Sequence, residues 1–161
     1  MSISIAIALT TAILSGLWGW VAISLGLLSW AGFLGCTTYF ASPIEGLKGL
    51  RLSIITNLSG VFWAMVIIQL STLFSIEILG YIITALVAFM MCFQANKSWL
   101  NYIPGTFIGC CATFASNGNW KVVIPSLLLG AIFGYSMKAS GLWLHKRANQ
   151  NKTTLLPQND Q

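Results

Sequence analysis

Ala31-Gly32-Phe33-Leu34-Gly35-Cys36-Thr37-Thr38-Tyr39-Phe40-Ala41-Ser42 recurs in the second half of the chain as Gly105-Thr106-Phe107-Ile108-Gly109-Cys110-Cys111-Ala112-Thr113-Phe114-Ala115-Ser116. Six of the twelve positions are identical, among them a Gly-Cys pair and a Phe-Ala-Ser end, and neither copy carries a charge. A short apolar segment present once in each half points to a site, because solutes in membrane carriers often pass where such paired segments meet. The competing explanation is helix packing, since the glycines strip side chains from one helical face and let backbones approach.

The likeness continues outward from the two segments. After a short difference in loop length, Arg51 aligns with Lys121, Ile54 with Ile124, Leu58 with Leu128 and Gly60 with Gly130. The stretches about 1–70 and 75–142 then form two repeats, although their first helices share too few residues to be matched. Each repeat holds three apolar spans, an odd number. The second copy therefore enters the bilayer from the opposite face, giving an inverted repeat about an axis in the membrane plane.

Composition fixes the solvent. The chain has 161 residues, 57% of them hydrophobic and only 7% charged, whereas a soluble domain carries about 25% charged residues. No charge precedes Glu45, and uncharged runs cover 52–76, 78–96, 98–120 and 122–137. A bilayer core takes about 20 apolar residues per helix, so the expected fold is an all-α membrane protein. Six spans are expected: 3–24, 27–42, 50–73, 78–95, 99–116 and 120–142, of which the second and fifth are short. The N-terminal run lacks the basic flank of a secretory signal and reads as the first span. The period-2 alternation of a membrane β-barrel is absent. Residues 1–144 form one transmembrane domain, and the polar stretch 145–161 is expected to be a disordered cytoplasmic tail.

Charge placement orients the spans. If all six cross with the N-terminus inside, Lys48, Arg51, Lys97, Lys138, Lys146, Arg147 and Lys152 lie in the cytoplasm and only Lys121 outside. If the two short spans merely dip, the cations split four against four. The first arrangement obeys the positive-inside rule and puts both termini in the cytoplasm. Lys138 then snorkels to the headgroups, and Trp99, Trp120 and Trp143 sit at interfaces, where tryptophan is common. The cations flank apolar runs without interleaved aromatics, which does not suggest a nucleic-acid surface.

Chemistry is sparse. The one histidine, His145, lies in the basic C-terminal flank, and Glu45, Glu77 and Asp160 fall in loops, span edges or the tail. No titratable pair lies within the membrane to act as acid and base, and no mid-membrane carboxylate is available to couple transport to protons or sodium. Cys36, Cys92, Cys110 and Cys111 have no metal-site or redox spacing. No enzyme activity and no cofactor are expected. The candidate residues, for a pore or for helix packing, are Gly32, Gly35, Cys36, Thr37, Asn57, Gly105, Thr106, Gly109 and Cys110. They suit a passive channel or facilitator for a small neutral or weakly anionic solute, selected by width and by hydroxyl or backbone groups. The alternative is a non-transporting partner that assembles with or regulates another membrane protein. Besides the lipid bilayer, a second copy of the chain is an expected partner, because six helices enclose little volume.

The run Ser15-Gly16-Leu17-Trp18-Gly19-Trp20-Val21, followed by Leu27-Leu28-Ser29-Trp30-Ala31-Gly32-Phe33-Leu34-Gly35-Cys36-Thr37, resembles the small YcdZ-like inner-membrane proteins of enteric bacteria. So do Pro104-Gly105-Thr106-Phe107-Ile108-Gly109 and Ser140-Gly141-Leu142-Trp143-Leu144. The likeness spans nearly the whole chain up to His145. It implies a multi-pass protein of the bacterial cytoplasmic membrane. The family is one of unknown function, so no catalytic or binding residue is carried over from it.

Overall fold

The structure, a computed structural model, describes residues 2–73 and 77–154. Six α-helices follow one another: α1 Ile3–Ser24, α2 Ser29–Phe40, α3 Gly46–Leu73, α4 Glu77–Phe93, α5 Ile103–Ala115 and α6 Trp120–Thr154. A 3₁₀ turn, Gln94–Asn96, continues α4. No strand occurs among the described residues.

Local sequence sets the helix ends. The Ser2 hydroxyl caps α1 by accepting from the Ile5 amide. The second helix stops at Ala41, two residues before Pro43. Pro104 lies in the first turn of α5, where its missing N–H costs nothing and its fixed φ suits the helix. The turn into α6 uses two left-handed residues, Asn117 at φ 53° and Gly118 at φ 77°, a region open to glycine and tolerated by asparagine.

Four helices, α1, α3, α4 with its extension, and α6, are long and apolar enough to cross a bilayer. The two short ones are not. At 12 and 13 residues, α2 and α5 are about 18 and 20 Å long, against a hydrocarbon core of about 30 Å. The expected second and fifth spans are therefore longer than the helices that form, because residues 27–28 and 99–102 stay outside α2 and α5. The tail also differs from expectation. A helix continues through residues 145–154, since extending an existing helix adds one hydrogen bond per residue fixed. Residues 155–161, the rest of the expected tail, lie outside the described residues.

Contacts give the helix directions. Along α6, Leu28 meets Ser126, Gly32 meets Gly130 and Cys36 meets Gly134, so α2 runs parallel to α6. Trp18 meets Phe133, Thr10 meets Met137 and Ile7 meets Gly141, so α1 runs antiparallel to it. In the same way α5 runs parallel to α3, from Gly105 on Thr56 to Gly118 on Ile68. Finally α4 runs antiparallel to α3, from Gly80 near Ser71 to Gln94 on Trp63. Thr38 meets Ser53 and Ser42 meets Gly49, so α2 runs antiparallel to α3 and the six helices alternate in direction. The main packing is α2 and α1 on α6, and α5 and α4 on α3.

The core lies along these seams. One cluster joins Ala64, Ile67, Val87, Met91 and Cys110, and another joins Val61, Ala112, Val123 and Leu127. The outer faces of α1 and α4 present exposed Ile5, Ile13, Ile82 and Leu86, as expected of helices solvated by lipid. At one end, Lys138 Nζ on α6 contacts Glu45 Oε1 in the α2–α3 loop at 2.8 Å. That ion pair brings the loop level with residue 138.

Candidate functional site

The four glycines singled out by the duplication seat the short helices on the long ones. A β-carbon on Gly35 would strike the backbone of Leu127, and one on Gly109 would strike the backbone of Asn57. Conversely, a β-carbon on Gly130 would strike the backbone of Gly32, and one on Gly60 the backbone of Thr106 and Cys110. In the alignment of the two halves, Gly35 matches Gly109, Leu127 matches Asn57, Gly60 matches Gly130 and Gly32 matches Thr106. The same pair of contacts therefore occurs twice, once at α2 on α6 and once at α5 on α3. Each is backbone against backbone, and neither leaves room for a solute between the helices. Gly35 and Gly109 do not face a common cavity.

The two seams differ in polarity. On α3, Ser53, Thr56 and Asn57 are buried, and Ser53 and Asn57 approach Thr38 on α2. Ser53 Oγ donates to the Thr38 carbonyl at 3.4 Å. The single Thr38 hydroxyl proton lies within reach of two acceptors, Leu34 O at 2.9 Å and Asn57 Oδ1 at 3.1 Å. Asn57 is 1% exposed, yet its Nδ2 amide has no hydrogen-bond partner. At the places matching Ser53, Asn57 and Thr38 stand Val123, Leu127 and Ala112, all buried; Thr56 is matched by buried Ser126, whose Oγ accepts from the Leu28 amide at 3.0 Å. An unpaired buried donor costs about 1–3 kcal/mol, and of these matched positions only Asn57 bears it.

A second polar group was not anticipated from the sequence. Gln94 Oε1 accepts from Ser59 Oγ at 2.8 Å and from Trp63 Nε1 at 3.0 Å, while its Nε2 donates to Thr106 Oγ1 at 3.1 Å. This amide ties the end of α4 to α3 and α5. Its place in the other half is filled by Trp18. That indole donates to the Ser29 carbonyl at 3.0 Å, covers Gly32 and packs on Phe133, the counterpart of Trp63, with ring centroids 5.3 Å apart. The available signal was an amide closing the apolar run 78–96, since such a group in lipid seeks partners on neighbouring helices.

The remaining candidates are scattered. Thr37 is exposed on α2 and its hydroxyl turns back to Phe33 O at 2.9 Å. Cys36 Sγ lies 3.5 Å from Met137 Sδ, whereas Cys110 is buried among Ala64, Ile67, Val87 and Met91. Gly105 faces the Thr56 hydroxyl and the Tyr102 ring. Among the described residues three buried side-chain polar atoms lack partners: Asn57 Nδ2 and Tyr102 Oη lie on the α3–α5 side, and Thr11 Oγ1 lies on α1. Among the described residues, no three His, Cys, Asp or Glu side chains come together as metal ligands would. Surface recesses of about 430 and 470 Å³ lie beside α3, the first toward Lys48 and Trp99 and the second toward Trp120. Neither is lined by the candidate glycines.

Comparison with known proteins follows the membrane reading. Residues 8–142 match the family described as "Protein of unknown function (DUF1097)". The chain is 66% identical over 149 residues to "Inner membrane protein YcdZ" of Escherichia coli (strain K12), covering 92% of the chain and 91% of the relative. It is 60% identical over 152 residues to the protein of that name in Salmonella typhimurium (strain LT2), covering 94% and 95%. No solved structure matches the chain.

Proposed function

The chain belongs to the DUF1097 family of inner-membrane relatives, and on that premise we propose that it is a passive facilitator for a small neutral or weakly anionic solute, closed at its centre in the conformation described above. It is an inner-membrane protein built of apolar helices. The facilitator reading rests on Asn57, whose unpaired buried amide lies where α2, α3 and α5 come together. A core that only needed to pack would fill this place as the second half does, with leucine. An amide held by its oxygen and left open at its nitrogen suits a group that meets a passing solute. The neighbouring polar atoms are neutral hydroxyls and amides, so the reading involves neither catalysis nor coupled transport.

The proposed architecture is six crossings arranged as two inverted three-helix repeats, with both termini in the cytoplasm. The twice-repeated glycine seats support it, as does the alternation of helix direction. So does the exchange of partners, each short helix packing chiefly on the long helix of the other repeat. The ion pair between Glu45 and Lys138 supports a common face for the α2–α3 loop and the end of α6.

Leucine substitution at Gly35 or Gly109 is not a clean test, because both positions are backbone seats. Asn57→Leu is one, since the matching seat already accommodates Leu127. In proteoliposomes, the wild-type chain is expected to speed the entry of urea, glycerol or formate above the protein-free rate. Asn57→Leu is expected to return the rate to baseline while the protein stays folded. A protein-free rate for every probe, or an unchanged rate in a folded Asn57→Leu variant, overturns the reading.

One observation favours the second reading, a non-transporting assembly partner. Gly16 and Gly19 on α1 have open space where a β-carbon would stand, a small-residue face free for another helix. An unrelated membrane protein co-purifying at fixed stoichiometry, and lost on Gly16→Leu, would support that reading.

A further inference from the structure

We infer that the recess between the start of α3 and the α4–α5 loop holds the phosphate of an anionic phospholipid. The recess measures about 430 Å³. Lys48 and Arg51, one turn apart on α3, stand on its rim, and both are exposed. The nearest carboxylate in sequence, Glu45, is engaged by Lys138 at 2.8 Å. Among the described residues, neither Lys48 nor Arg51 has an ion-pair or hydrogen-bond partner. Two uncompensated cations therefore flank the first turns of α3, where the helix dipole adds further positive potential. An arginine fork beside a lysine charge suits a phosphate diester.

The opposite wall decides the source of that phosphate. Trp99, 57% exposed, lines the recess from the α4–α5 loop, and Ile44, Leu52 and Ile55 line it from the α3 side. A free hydrated phosphate gains nothing from those side chains. A phospholipid fits both tiers, with its phosphate on the cations and its glycerol and first methylenes on the apolar floor. Basic recesses of this kind on the cytoplasmic side of membrane helices bind anionic headgroups.

The leaflet assignment rests on the orientation proposed above, but binding in detergent does not, so the two can fail separately. A second cationic end serves as the internal control. Lys146 and Arg147 on α6 border a smaller recess of about 370 Å³, where the Arg147 guanidinium already covers the Trp143 ring at 5.1 Å.

The test is native mass spectrometry of the full chain in detergent, titrated with dioctanoyl phosphatidylglycerol, dioctanoyl phosphatidylcholine and inorganic phosphate. Phosphatidylglycerol is expected to bind well above phosphatidylcholine. Lys48→Gln with Arg51→Gln is expected to weaken it roughly 10- to 30-fold. Lys146→Gln with Arg147→Gln is expected to change it by less than about two-fold, and Lys48→Arg with Arg51→Lys to retain most of it. Equal losses in the two glutamine pairs overturn the inference in favour of general surface charge. Equal binding of phosphatidylcholine overturns it too. So does displacement by inorganic phosphate at the same concentration as the lipid, which would make the recess a site for a free anion.

Discussion

Where α2 meets α3 around Asn57, the interior is polar and incompletely paired; at the matching place in the other half Leu127 packs with Ala112 and Val123, and the one buried hydroxyl beside it, Ser126, is paired. Both places have the same scaffold, a glycine of a short helix seated on the backbone of a long one. The backbone contact therefore does not require either kind of side chain. Polarity at Thr38, Ser53 and Asn57 is carried at a cost that Ala112, Val123 and Leu127 avoid. A structural demand common to both halves cannot explain a difference between them, which is why the Asn57 side carries the functional argument.

The comparison can be broken at the scaffold or sharpened at the side chains. The largest effect is expected at the seats. Gly35→Leu and Gly109→Leu force apart backbones in contact and should abolish monodisperse protein on size-exclusion chromatography. Gly16→Ala, in open space, should leave stability within about 1 kcal/mol of wild type. Next is Leu127→Asn, which places an amide among apolar neighbours. It should lower stability by about 2–4 kcal/mol, seen as a reduced thermal midpoint in detergent. The reciprocal Asn57→Leu removes an unpaired donor and should raise that midpoint, by about 1 kcal/mol in stability. If both exchanges destabilise equally, the two regions are not interchangeable.

The smallest effect is at the loop. The hydrogen bond and charge of Lys138 hold the Glu45 carboxyl below its usual value of 4.5. A lowered carboxylate value stabilises the fold above the unfolded value and loses that contribution as pH falls through the folded one. Thermal midpoints of wild type should therefore drop somewhat faster than those of Glu45→Gln between pH 5 and pH 3 (roughly the window in which such groups titrate). The pair is exposed on the Glu45 side, so the difference should be small and should shrink in salt.

Much of the frame was legible in the sequence. Charge-free runs predicted α1 with its observed ends, Ile3–Ser24, because lipid leaves the backbone little choice but helix. The duplicated Gly-Cys segments predicted that α2 and α5 would occupy equivalent seats. What they would touch was not legible, because an apolar helix has no polar face to reveal its orientation. The segment pattern placed Thr37 with Cys36, but one step along a helix turns a side chain by about 100°, and Thr37 faces outward. Gln94 escaped notice because its partners Ser59, Trp63 and Thr106 lie on two other helices. The length of α6 was also hidden, since the polar residues past His145 read as a disordered tail and carry no apolar period to mark a helix.

The brevity of α2 and α5 has a consequence for the surrounding bilayer. The start of α5 lies beside Thr56, ten residues into α3, or about 15 Å along its axis. Leu28, just before α2, bonds Ser126, six residues into α6. In the six-crossing arrangement proposed above, each stub thus leaves a gap beside the start of its long helix, and the two gaps open on opposite sides. Water entering both would narrow the insulating layer to little more than the length of the seats themselves. The backbone amides of Asn101, Tyr102 and Ile103 and of Ser29 and Trp30, at the starts of the two short helices, should then exchange with deuterium far faster than those at the helix crossings.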